Sequence, residues 1–166
     1  EHPAHLDLSL LTQVEQRLTP EQAVLVCLPI LRALSALHRT QRVCGTLTPS
    51  TFLIDSGCQA MLGQRLRWYP YAYQEQLENL RIEDLSYWSP ERFLLDVPPT
   101  PQSDMWSFGL ILYQLLCGDL PWVSNPKVPE VISQIQRFNI NDVLKRAPSS
   151  LRPFLSRCLT HDLDHR

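Results

Sequence analysis

The chain has 166 residues, enough to bury one sizeable core, and its 44% apolar and 19% charged residues are the balance of a globular domain. A formal net charge of −2, from 15 basic and 17 acidic side chains without a basic cluster, argues against an electrostatic nucleic-acid binder. The longest apolar run, residues 110–117, is interrupted by Tyr113 and Gln114 and falls short of the roughly 18–20 residues of a membrane span, so membrane insertion is not expected. There is no signal-peptide pattern. The chain starts at Glu1 and not at Met, and stops abruptly at Arg166, as an excised piece of something longer would.

Leu6, Leu8, Leu10, Leu11 and Val14 predict a short amphipathic helix within residues 1–18. Thr19-Pro20-Glu21-Gln22 is a helix start, in which Thr19 can cap, Pro20 suits the first helical position and Gln22 completes a capping box. Val24, Leu25, Leu28, Leu31, Leu34, Ser35 and Leu37 then form the expected apolar face, with Pro29 removing one backbone hydrogen bond and kinking the helix. Residues 43–44, 51–54 and 60–62 read as short extended segments. Asp55-Ser56-Gly57-Cys58 has turn chemistry, so a small β-hairpin is expected with Asp55 as a turn residue. Residues 67–90 carry Trp68, Tyr69, Tyr71, Tyr73, Tyr87 and Trp88 without a clean period and read as a loop with some local helix.

A proline-rich connector at residues 96–101 leads into a long helix over 103–116. It is apolar on more than one face, the pattern of a helix buried at the centre of a domain, and Gly118 ends it. Further helices are expected near 128–137, 140–145 and 149–160. The fold class is therefore mainly α: one domain over residues 1–166, with a buried central helix and a small hairpin. The five cysteines, Cys27, Cys44, Cys58, Cys117 and Cys158, are irregularly spaced without a CxxC pair. That argues against zinc and disulfides and for reduced, buried thiols in an intracellular, cytoplasmic protein. His2, His5, His38, His161 and His165 form no ligand cluster and are expected at the surface or in caps.

Ser103-Asp104-Met105-Trp106-Ser107-Phe108-Gly109 resembles the start of the central helix of protein kinases, where Asp-x-Trp-Ser-x-Gly is typical. Tyr87-Trp88-Ser89-Pro90-Glu91 resembles the Ala-Pro-Glu element that closes the activation segment. Gly118-Asp119-Leu120-Pro121-Trp122 and the stretch from Arg157 to Arg166 complete the order. The chain is thus similar to a protein-kinase C-terminal lobe, without the N-terminal lobe. The resemblance implies that Glu91 pairs with Arg166 in a buried ion pair and that Asp104 accepts hydrogen bonds from backbone N–H groups of the catalytic loop. Trp106 and Gly109 complete the helix signature.

The catalytic loop of the family, His-Arg-Asp-Leu-x-x-x-Asn, aligns with Cys44-Gly45-Thr46-Leu47-Thr48-Pro49-Ser50-Thr51. Thr46 stands for the Asp that receives the substrate proton, Thr48 for the loop Lys and Thr51 for the Mg²⁺-binding Asn. Gln64 and Arg65 stand for the Asp and Phe of Asp-Phe-Gly, and Cys44 for the loop His. Leu53 matches an apolar position under the adenine ring and is equally expected as core. A Thr hydroxyl is no base near neutral pH, and Mg²⁺ prefers anionic oxygen ligands.

These departures predict a pseudokinase, not an enzyme, with no metal and no cofactor, ATP binding by the complete domain being left open. Its expected role is that of a scaffold or allosteric module that binds other proteins, and Trp68, Tyr69, Tyr71 and Tyr73 either pack the activation segment or offer a partner surface. The alternatives are a divergent active serine/threonine-type kinase with unorthodox residues, or a structural lobe of a larger regulator. The catalytic-loop and Ser89-Pro90-Glu91 regions also resemble the TBC-domain-containing kinase-like proteins, in which such a region precedes a Rab-GTPase-activating domain. No TBC motif lies in this chain.

Overall fold

The structure, a computed structural model, describes residues 6–13, 17–55, 57, 60–63, 81–93, 97–122 and 127–166. Its elements are mainly helical with one small sheet, as expected.

The N-terminal segment divides into a strand, β1 (Leu6–Asp7), and a short helix, α1 (Ser9–Gln13), where one helix is predicted. Val14 lies outside the described residues. Cross-strand pairing overrides the helical spacing here. Leu6 stands opposite Ile54, the Leu8 N–H donates to the Phe52 carbonyl at 3.0 Å, and Asp7 Oδ1 accepts the Ser9 N–H at 2.8 Å to start the helix. Leu8 is thereby completely buried.

Helix α2 (Pro20–Arg39) begins with the predicted capping box: Thr19 Oγ1 accepts the Gln22 N–H at 3.3 Å, and Gln22 Oε1 accepts the Thr19 N–H at 2.9 Å. It runs through Pro29 as one continuous helix. The face it buries differs from the predicted one. Ala23, Val26, Cys27, Ile30, Leu34 and Leu37 are inside, whereas Val24, Leu25 and Leu28 are exposed by 44, 64 and 42%. The helix carries apolar residues all round, and which stripe is buried depends on where the sheet and the central helix stand. By length and composition α2, with a mean hydropathy of 1.4, also passes as a helix able to cross a membrane, which corrects the expectation that no segment approaches that size. In this fold one of its faces belongs to the core.

The hairpin pairs β2 (Phe52–Ile54) with β3 (Ala60–Leu62) in the register Phe52 to Leu62, Leu53 to Met61 and Ile54 to Ala60. β2 is the middle strand of a three-stranded antiparallel sheet. Asp55 holds the turn by accepting the Gly57 N–H at 2.9 Å. A short helix, α3 (Ile82–Leu85), precedes a 3₁₀ turn at Pro90–Phe93.

The central helix α4 (Pro101–Cys117) starts two residues before the predicted boundary because Thr100 caps it and Pro101 supplies the first turn. Trp106, Phe108, Leu110, Ile111 and Tyr113 on it are wholly buried. It stops at Gly118, whose φ of 87° lies in the left-handed region that favours glycine. Helices α5 (Val128–Gln136), α6 (Ile140–Arg146) and α7 (Arg152–Cys158) follow, with α7 packed across α4.

Gly109 marks the α4–α7 crossing. A Cβ there would sit 2.6 Å from the Cys158 Cβ and 3.0 Å from Leu159 Cδ2. Gly109→Ala is expected to force the helices apart and cost about 1–3 kcal/mol in urea unfolding. A neutral result would mean that the crossing can open without loss. Cys27, Cys44, Cys117 and Cys158 are all buried, as predicted, and burial pushes the Cys27 and Cys158 thiols up to about 12. Cys58 lies outside the described residues.

Candidate functional site

The loop of residues 44–51 joins α2 to β2 and ends in a 3₁₀ turn at Pro49–Thr51. It is held from below by Asp104, in the first turn of α4. Asp104 Oδ2 accepts the Cys44 N–H at 2.9 Å and Oδ1 accepts the Gly45 N–H at 3.0 Å. His38, at the end of α2, adds its Nε2 at 2.8 Å from Oδ2. Asp104 is 1% exposed, so this carboxylate is desolvated and spends its lone pairs on the loop and the imidazole. His38 is therefore a half-buried partner of Asp104, where a place at the surface or in a cap was expected. The signal for it was its position at the end of α2, a few residues before the loop.

The loop's own side chains form a hydroxyl cluster. Thr51 Oγ1 accepts the Thr48 N–H at 3.0 Å, and Thr48 Oγ1 lies 2.9 Å from Ser50 Oγ and 3.4 Å from Thr51 Oγ1. Thr48 and Thr51 are buried and satisfy each other, while Thr46 is half-buried. Cys44 lies in the core, and burial, reinforced by the Asp104 carboxylate, pushes its thiol far up, so it is neutral. Leu53 is half-buried on the face of β2 opposite Phe52 and Ile54, against Gly63. Gln64 and Arg65, with Trp68, Tyr69, Tyr71 and Tyr73, lie outside the described residues.

A protein holds Mg²⁺ through hard oxygen ligands, of which one or two are as a rule carboxylates. Thr46, Thr48 and Thr51 offer neutral hydroxyls, and among the described residues no group of three or more His, Cys, Asp or Glu could hold a metal. With no carboxylate among residues 44–51, the loop by itself does not fit Mg²⁺.

A second cluster ties the end of the Pro90–Phe93 turn to the C-terminus. Arg166 Nη1 donates to Glu91 Oε1 at 2.6 Å and to the Gln102 carbonyl at 3.3 Å, while its Nε and Nη2 donate to the Thr160 carbonyl at 3.0 and 2.8 Å. The guanidinium also lies 4.9 Å over the Trp106 ring, and the Arg166 side chain is fully buried. The Ser103 hydroxyl adds a bond to Glu91 at 3.3 Å. Burial alone would raise the Glu91 carboxyl, but hydrogen bonds from Arg166, from Ser89 and from the backbone, together with the Arg166 charge, outweigh it and hold the group below its ordinary range.

Sequence reasoning missed Arg92. It is 3% exposed, its Nη1 donates to the Gly45 carbonyl at 3.0 Å, and its guanidinium lies 4.4 Å over the Trp88 ring. The available signal was the coincidence of a glycine at the second loop position with an arginine directly after Glu91.

The family model described as "Protein kinase domain" matches residues 1–166. Serine/threonine-protein kinase PAK 4 of Homo sapiens is 27% identical over 152 residues, covering 88% of this chain and 25% of its own length. The mixed lineage kinase domain-like protein of Mus musculus is 25% identical over 163 residues, covering 92% of this chain and 33% of its own length. SNF1-related protein kinase catalytic subunit alpha KIN12 of Arabidopsis thaliana is 30% identical over 112 residues, covering 65% of this chain and 21% of its own length. The chain spans a quarter of the PAK 4 sequence and a third of the mixed lineage kinase domain-like protein.

These findings overturn the expectation that the chain is not an enzyme: the family match and the serine/threonine kinase relatives point toward a kinase enzyme. That expectation gave the neutral loop too much weight. A positioned base contributes about 10²–10⁴ to a rate, a minor share of a typical enzymatic acceleration. Most of the catalysis of phosphoryl transfer comes from positioning and charge stabilisation, and a conclusion of inactivity does not follow from Thr46, Thr48 and Thr51 alone. With the family model matched from the first residue to the last, the chain belongs to the protein kinase domain family.

Proposed function

We propose that the chain is the C-terminal lobe of a divergent serine/threonine-type protein kinase, acting on other proteins. The observation that carries this reading is the loop of residues 44–51, held in place by paired N–H bonds from Cys44 and Gly45 to the buried Asp104 carboxylate. A loop suspended this way is preorganised, and preorganisation is what phosphoryl transfer chiefly asks of a protein. Buried, unreactive thiols fit a reducing intracellular compartment.

The test is transfer of the terminal phosphoryl of ATP to serine/threonine peptides by the full-length protein, with Mg²⁺ or Mn²⁺. Ordinary kinases turn over at roughly 1–100 s⁻¹. Without the loop carboxylate, turnover is expected about 10²–10⁴ lower, and Thr46→Asp is expected to recover a large part of it. No transfer by either form would sink the reading.

A second reading is favoured by the mutually bonded Thr48, Ser50 and Thr51 hydroxyls: a kinase-like lobe that serves as a protein-interaction module. The TBC-type resemblance belongs to this reading. It predicts that deleting residues 1–166 from the full-length protein abolishes capture of a partner while the remaining domains stay folded.

A further inference from the structure

Residues 44–51 carry no charged side chain. The loop's second residue, Gly45, adopts a φ of 78°, a left-handed backbone that favours glycine, and its carbonyl is taken by Arg92 Nη1 at 3.0 Å. Arg92 comes from the Pro90–Phe93 turn at the far side of the site. A guanidinium 3% exposed is strongly desolvated, and it is compensated here by the carbonyl and by the Trp88 ring face at 4.4 Å. Trp88 is itself fixed by Phe93, with ring centroids 5.7 Å apart. Gly45 is thus held through both flanking peptide units, its N–H by the Asp104 carboxylate on α4 and its carbonyl by the Arg92 cation.

We propose that Arg92 is a positioning residue that clamps the catalytic loop from the side of the activation-segment end, standing in for the arginine that the loop itself lacks at Gly45. The inference rests on the kinase reading for its catalytic consequence and on the geometry alone for the clamp. The order of the loop is then built into the buried Arg92–Gly45–Asp104 chain.

The experiment follows hydrogen–deuterium exchange of residues 44–51 and of α4 in the full-length protein, for the native form, Arg92→Met and Arg92→Lys. Arg92→Met removes a charge-assisted hydrogen bond and is expected to speed exchange of the loop by about tenfold to a hundredfold while the middle of α4 is unchanged. Arg92→Lys keeps a cation over Trp88 and one donor for the carbonyl, and is expected to recover part of the protection. Where Arg92→Met does not fold, Arg92→Gln, which keeps an N–H donor without the charge, replaces it with the same pattern expected at smaller size. Unchanged loop exchange overturns the proposal, as does an equal loss throughout α4, which would make Arg92 a general core residue. In phosphotransfer assays kcat is expected to fall with KM unchanged, and a rise in KM alone counts against a positioning role. If the native protein transfers no phosphate, the kinase reading fails while the exchange pattern still decides the clamp.

Discussion

Asp104→Ala is expected to lower the unfolding free energy of the protein by about 3–5 kcal/mol, the largest effect of any single substitution in the loop region. The side chain is 1% exposed and accepts from Cys44 N–H, Gly45 N–H and His38 Nε2 within 3.0 Å. Alanine leaves two buried backbone donors and an imidazole without their acceptor, and each buried donor so orphaned costs about 1–3 kcal/mol. Asp104→Asn is the sharper variant. It keeps the volume and one acceptor but turns an N–H₂ toward a group that was donating, so it is expected to lose roughly half as much. Chemical denaturation checks both, and loop amide exchange locates the damage at residues 44–51. A loss below about 1 kcal/mol for Asp104→Ala would show that the loop holds its shape without this anchor.

Glu91→Ala is expected to cost about 3–5 kcal/mol, because it strands a fully buried guanidinium. Arg166 retains its bonds to Thr160 and Gln102 and its place over Trp106, so the charge cannot swing out to water. The double variant Glu91→Gln with Arg166→Met is expected to be milder than the sum of its singles, since the pair is then removed as a unit. The pH dependence has a definite sign. The Glu91 carboxyl is held below its ordinary range in the folded state, so its contribution is present above the unfolded value of about 4.3 and is lost as pH falls through the lower folded value. Glu91→Gln is therefore expected to flatten the acid limb of the stability profile. An acid limb identical in the two proteins would show that the Glu91 carboxylate and its hydrogen-bond partners contribute no linked stability.

Much of the architecture was legible because it is written in short-range chemistry. The Thr19 capping box, Pro101 at a helix start and Gly118 at a helix stop act within one turn and need no neighbours. The turn at Asp55 is equally local. The Glu91–Arg166 contact and the Asp104 anchor span long stretches of chain, and they were expected only because the motifs resemble those of a family in which these positions meet. His38 and Arg92 had no such pattern to expose them. Each is an ordinary residue in sequence, and each meets the loop or its anchor only when α2 or the Pro90–Phe93 turn is brought against it.

Helix α2 gives the plainest case of the division. The sequence by itself determined where the helix starts and that it is apolar, since propensity and capping are local. It could not determine that Ala23, Cys27 and Ile30 go inside while Val24, Leu25 and Leu28 face out. A helix apolar on several sides has several near-equal faces, and the choice among them is made by the shape of what it packs against. The same holds for residues 6–8, where pairing with β2 outweighs a helical spacing. It holds too for the loop at 44–51, whose neutral residue types are plain in the sequence. Its suspension between Asp104 and Arg92 arises only in the folded chain, because buried hydrogen bonds gain their strength from the desolvation that tertiary packing creates.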